Sequence, residues 1–185
     1  MARTRVDPVL TAIVKAATRG TGASHGLLLA IEGRVMRVAA SAGALGWDVV
    51  GEPISAGEGV AGYVAASGQP LALSADSADP RLGEGTASLL GHNPSAVLAV
   101  PVDGGSRIVG VLELIDPHDG LFDVADTEQA MLHATVASAA LTDARLGALA
   151  DVPEPAEIAA ELRRLAEVDP GRYATVATII EALVR

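Results

Sequence analysis

The sequence contains no cysteine. Disulfides, thiolate metal sites and cysteine nucleophiles are excluded together, and the absence fits a reducing compartment. Aromatic residues are almost missing: Trp47, Tyr63, Phe122 and Tyr173 make up 2% of the 185 residues. A core must therefore be built from Ala, Val and Leu, with small side chains and close backbone approach. Basic residues are scarce as well. Lys and Arg number 13 against 23 Asp and Glu, the net charge is -10, and the longest basic run is Arg163-Arg164. A phosphate backbone needs a basic face, and so does an anionic membrane surface. Neither nucleic acid nor membrane is an expected partner. No apolar run approaches a membrane span, and "MARTRVDPVL" has no apolar signal core. A soluble cytoplasmic protein is the expectation.

What is present is apolar material in quantity. Half the residues are hydrophobic, enough for one ordinary domain or one domain with a small appendage. "VDPVLTAIVKAATRG" predicts a helix with Asp7 as N-cap and Pro8 at its first position. Leu10, Ile13, Val14 and Ala17 then share one face. Leu27–Ile31 and Val35–Ala39 read as a hairpin around Glu32-Gly33. A loop carrying Trp47 and Pro53 follows, then a short helix broken by Gly68 and Pro70, then a strand over 71–73. Residues 74–95 form a polar stretch with an apolar island at Leu89-Leu90. "SAVLAVPVDGGSRIVGVLELID" holds two strands around Asp103-Gly104-Gly105. A long Ala-rich helix begins at Asp123, with Asp126 three residues on as its capping partner. This order is α+β with an antiparallel sheet rather than alternating strands and helices.

"GEGVAG" at 57–62 matches G-x-G-x-x-G letter for letter. A dinucleotide turn needs an apolar strand running into the first glycine and a full helix after the last. Here Pro53, Ser55 and Ala56 interrupt the approach and the helix is too short, although Asp76 and Asp79 lie near the expected acidic position. The structural reading is preferred: Gly57 and Gly59 allow a tight turn, and Gly62 lets the helix sit close to the sheet.

Residues 7 to about 147 resemble a GAF domain. The resemblance is carried by "GEGVAGYVAASGQPLAL", "DPRL" at 79–82, the hairpin "SAVLAVPVDGGSRIVGVLELID" and the closing helix "FDVADTEQAMLHATVASAAL", in that order. It implies a GAF/PAS-like six-stranded antiparallel sheet. Helices from both ends of the domain would cover one face. The 74–95 region would form a lid over a ligand pocket on the other. It also implies a sensory or regulatory role rather than an enzyme. The family's cyclic-nucleotide signature is half absent: Phe122 and Asp126 match, but Asp116, Pro117 and Thr127 replace its Asn, Lys and Glu. Covalent bilin attachment and methionine sulfoxide reduction both rely on cysteine in this family. No cofactor and no metal site is assigned.

Four residues are ligand-pocket candidates. Trp47 either walls a pocket or covers the end of the sheet. Arg81 either meets an anionic ligand or pairs locally with Asp76 or Asp79, the second being the plainer expectation. Of the four histidines, His25 and His118 stand in turn contexts and His133 on the closing helix. Only His92, at the end of the lid, could face a pocket; a solvated loop histidine is the bland alternative. Glu113 interrupts an apolar strand and by alternation shares a face with Val111 and Ile115. It marks a solvated margin of the sheet, as lone strand carboxylates generally do, or binds a cationic or hydroxyl-bearing ligand. No catalytic residue set is recognisable.

The domain division reads as 1–148 for the GAF domain, 149–155 as a Pro-rich linker, and 156–185 as a helical hairpin. Two apolar stripes, Ile158/Leu162/Leu165 and Val176/Ile179/Ile180/Leu183, mark its helices. Thirty residues cannot bury a core alone, so this piece is expected to contact the domain, a second copy or a protein partner. Homodimerisation is expected through the terminal helices, where Ala134, Ala137, Ser138 and Ala144 would let another helix approach. Three functional classes stay open: first a small-molecule-sensing module that signals through terminal helices, then a dimerising scaffold with a filled pocket, and last an enzyme.

Overall fold

The computed structural model describes residues 6–43, 49–150 and 155–184. The chain divides into two compact units, 1–144 and 145–185. In the first, α1 (Pro8–Gly20) begins as its sequence dictates. Asp7 Oδ1 accepts from the Val9 and Leu10 N–H groups at 2.8 and 3.1 Å, and Pro8 occupies a position that needs no donor. β1 (Ala23–Glu32) and β2 (Val35–Gly43) form the expected hairpin. Glu32 pairs with Val35, so the turn is Gly33-Arg34, one residue beyond the Glu32-Gly33 expectation.

A strand that the residues did not announce follows, β3 (Pro53–Ser55), paired with β2 at the sheet edge. Only three residues long and opening on proline, it carries no periodicity. An edge is where a missing N–H is tolerated. α2 (Gly59–Ser67) ends at Gly68, and β4 (Leu71–Ser74) comes next. Two 3-10 turns (Ala75–Ser77 and Pro80–Gly83) and the one-turn α3 (Ala87–Leu90) fill the polar stretch. β5 (Ala96–Asp103) and β6 (Ile108–Pro117) are the central hairpin. β5 passes through Pro101 because β4 pairs only as far as Ala99, leaving the proline without a neighbour on that side. α4 (Val124–Ala150) starts with reciprocal capping: the Asp126 N–H donates to Asp123 Oδ1 at 2.9 Å, and the Asp123 N–H to Asp126 Oδ2 at 3.0 Å.

The six strands are antiparallel in the order β3-β2-β1-β6-β5-β4. One face buries Leu28, Leu98, Leu112 and Leu114 against Leu10, Ile13, Val14 and Ala17 of α1 and Ala130, Ala134, Ala137 and Leu141 of α4. Ala134 and Ala137 thus pack inside the domain, and the expectation that they admit a neighbouring helix is corrected. Small side chains are needed there because α4 lies close on the sheet. Among the described residues, the large apolar side chains of α4 that face outward are Val124, Met131, Leu132 and Val136. The other face buries Leu27, Leu29, Val97, Ala99, Val111 and Ile115 under Val60, Ala61 and Val64 of α2 and Leu82 of the second 3-10 turn.

The glycine motif is a structural turn. Gly59 has φ +68°, and a Cβ there would stand 2.8 Å from the Glu84 carbonyl oxygen, so only glycine fits. At Gly62 a Cβ would meet the Gly57 carbonyl carbon at 2.7 Å. Its close approach is therefore to the preceding turn, not to the sheet as expected. At Gly57 a Cβ would meet open space.

In the second unit α5 (Pro155–Val168) and α6 (Pro170–Val184) are helices of 14 and 15 residues joined at Asp169. Asp169 Oδ1 accepts from the Arg172 N–H at 3.0 Å. No residue of α5 is buried. Ile158, Leu162, Leu165 and Val176 line a groove of about 630 Å³ between the helices, together with Glu157, Glu161 and Arg172.

Candidate functional site

The second face of the sheet carries the unusual chemistry. β6 is central, flanked by β1 and β5. Glu113 stands opposite Leu27 of β1 and Ala99 of β5, both members of the apolar cluster beneath the lid. Its exposure is 0%. The solvated-margin reading is therefore corrected. A strand with neighbours on both sides has no margin, and nothing in one strand's sequence says which strands flank it. No donor meets either carboxylate oxygen at hydrogen-bond geometry; the nearby buried Thr86 hydroxyl is close enough to favour the charged form but does not complete a bond. Burial pushes its pKa from the usual 4.5 up to about 7, against a smaller lowering from the Thr86 side chain. An unpaired carboxylate in such a place is costly while charged, and it neutralises or recruits a donor.

His25 is the residue that sequence reasoning missed. It lies within β1, not in a turn. It pairs with Ile115, two residues along β6 from Glu113. Leu27 and Leu29 face the lid, so alternation places His25 on the lid face too. Its Nδ1 is buried and without a partner. Burial lowers the His25 pKa, with Asp116 opposing and His92 assisting. The signal was present: His25 stands two residues before Leu27, but starting the strand at Leu27 hid it.

His92 lies nearby at the end of the lid. Its Nε2 stands 3.4 Å from Asp116 Oδ2 and its Nδ1 3.2 Å from the Leu90 carbonyl oxygen. Its side chain remains 55% exposed, so the plain reading of a solvated loop histidine describes most of it. Asp116 has φ +53°. Its Oδ1 accepts from Ser95 N–H and Oγ at 2.6 and 2.7 Å, which ties the lid's end to β6. Burial acts to raise the Asp116 pKa, but the hydrogen bonds from Ser95, His92 and Ala96 together outweigh it and hold the carboxyl below its usual value.

Arg81 is engaged locally. Its Nε and Nη2 donate to the two Asp79 carboxylate oxygens at 2.9 and 2.6 Å, and its guanidinium lies 4.6 Å from the Tyr63 ring centre. The partner is Asp79 rather than Asp76. Hydrogen bonds from Arg81 hold the Asp79 pKa down to about 2. Trp47 lies outside the described residues. The structure thus gathers Glu113, His25 and His92 toward one face and leaves Arg81 on an ion pair of its own. Among the described residues no group of three or more His, Asp or Glu is placed to hold a metal ion, and no helix is long and apolar enough to cross a membrane.

Comparison with known proteins agrees with this architecture. A family model described as "GAF domain" matches residues 5–142. A curated relative, a probable 3',5'-cyclic phosphodiesterase from Caenorhabditis elegans, is 29% identical over 89 residues; these are 48% of this chain and only 12% of that protein. Among solved structures, the GAF domain of an Acinetobacter phosphoenolpyruvate-protein phosphotransferase is 17% identical at a TM-score of 0.65, covering 78% of this chain and 87% of that one. The free methionine-R-sulfoxide reductase of Neisseria meningitidis, solved with its substrate, is 19% identical at a TM-score of 0.59, covering 77% and 83%. At these identities the structural likeness speaks for the fold alone.

Proposed function

This chain belongs to the GAF domain family, and we propose from that premise that it is a small-molecule-sensing regulatory module. The ligand would sit between the lid and the sheet, and the signal would leave through terminal helices. One observation carries the reading: Glu113, wholly buried in an apolar cluster with both oxygens unpartnered. A module kept only for shape gains nothing from a buried carboxylate, which costs several kcal/mol unless paired. A ligand donor opposite it supplies the pairing.

The sulfoxide reductase resemblance brings no chemistry with it, because this sequence has no cysteine and thiol turnover has no carrier. We read the module as non-catalytic and intracellular, assembling as a homodimer. Val124, Met131, Leu132 and Val136 support that assembly: they form an exposed apolar stripe on α4 opposite the face that packs on the sheet. Residues 149–155 act as a linker in this reading, and the α5–α6 pair as a contact surface for protein.

The competing reading is a dimerising scaffold. It draws support from the tight apolar packing of Val60, Val64 and Leu82 over the lid face. Native mass spectrometry of the gently purified full chain separates the two. A bound small molecule whose retention depends on Glu113 supports sensing. A clean apo mass, with no small molecule raising the melting temperature, refutes it.

A further inference from the structure

The only buried side-chain polar atoms without partners among the described residues are His25 Nδ1 and the two oxygens of Glu113. They are not scattered. His25 pairs with Ile115 and Glu113 with Leu27, so the two are diagonal neighbours across the β1–β6 ladder, about 7–8 Å apart by strand geometry. Both face the lid. Buried polar groups in folded proteins are almost always satisfied, and an exception calls for a missing partner. Three orphaned atoms on one patch call for a single partner that reaches all of them.

The geometry points to a ligand with a planar fork of two N–H donors on a compact apolar body, of the amidine or 2-amino-azaheterocycle class, its fork on Glu113 and a further polar atom on His25. The inference rests on the sensing reading above and specifies its ligand. A single hydroxyl or a primary amine would satisfy one oxygen well and leave the other poorly met. A fork meets both in parallel, as guanidinium groups do with carboxylates. The walls carry no second charge: Leu27, Ala99, Val111, Ile115 and Leu82 are apolar and buried, and the buried Thr86 beside Glu113 is uncharged. A neutral His25 offers no repulsion to a cation, and its lowered pKa fits that state. The covering segment is two 3-10 turns and a one-turn helix, structure of the kind that opens at low cost.

The test uses the ligand-free full chain with two probes of similar size, 2-aminobenzimidazole, which carries the fork, and indole, which carries one N–H. Binding is read by native mass spectrometry and by the melting midpoint. The inference expects 2-aminobenzimidazole to bind and indole to bind at least about tenfold more weakly. Glu113→Gln, which keeps the volume but turns one acceptor into a donor, should weaken the aminobenzimidazole about tenfold or more. His25→Phe should weaken it by a smaller factor and carries the test if the Gln variant does not fold. If indole binds as well as 2-aminobenzimidazole, or if binding ignores Glu113, the ligand class is wrong while the sensing reading stands. If neither probe binds and no small molecule accompanies the purified chain, hydration satisfies the three atoms and both readings fall.

Discussion

Replacing Glu113 by Gln should make the ligand-free protein more stable at alkaline pH and leave it nearly unchanged in mild acid. Glu113 has a folded pKa of about 7 against an ordinary value of 4.5. A raised carboxyl pKa means that the folded state holds the proton more tightly than the unfolded chain does. The stability associated with that proton is fully present below about pH 4.5 and is lost as pH rises through 7. Linkage between these two values removes on the order of 1 kcal/mol by pH 5 and roughly 3 kcal/mol by pH 8. The Gln side chain mimics the neutral acid and loses nothing over this range. The stability difference between variant and parent should therefore grow by roughly 2–3 kcal/mol from pH 5 to pH 8. His25 acts in the opposite sense, since its lowered pKa favours the folded state above the usual histidine range. It is present in both proteins and cancels in the difference. Urea unfolding followed by far-UV circular dichroism at half-unit pH intervals measures the quantity directly. A difference that stays flat from pH 5 to 8 would mean that Glu113 is charged and well paired in solution, and the burial argument would be refuted.

The glycine motif gives a paired test: Gly59→Ala should cost about 1–3 kcal/mol through its positive φ and its clash with the Glu84 carbonyl, whereas Gly57→Ala should change the urea midpoint little. Equal effects at the two positions would contradict the turn geometry. Leu132→Asp together with Val136→Asp should leave the circular dichroism spectrum intact and shift light scattering toward monomer at micromolar concentration; an unchanged mass would remove α4 from the dimer surface. Truncation after Ala150 should leave a folded domain whose melting midpoint moves by less than about 3 °C, with altered association. An insoluble product would make α5 and α6 part of the fold rather than a contact surface.

The long helices, the two central hairpins and their order were legible in local stretches of sequence. Asp7-Pro8 started α1, Asp123 and Asp126 capped α4, and alternation fixed which residues of β6 share a face. Each of these follows from local hydrogen-bond supply or from the two-residue period of a strand, so each is legible in a short window. The absence of cysteine settled thiol chemistry in the same way. Three things needed the tertiary structure. β3 exists only because β2 offers it an edge. Ala134 and Ala137 face inward only because the sheet lies beneath them. Glu113 is buried because β1 and β5 flank β6 and α2 with Leu82 covers that face; from its own strand it could equally have stood in solvent. Glu113 and His25, diagonal neighbours across the β1–β6 ladder, stand 88 positions apart in the chain. Their proximity is a consequence of β1 and β6 being neighbours in the sheet, and no local window contains it.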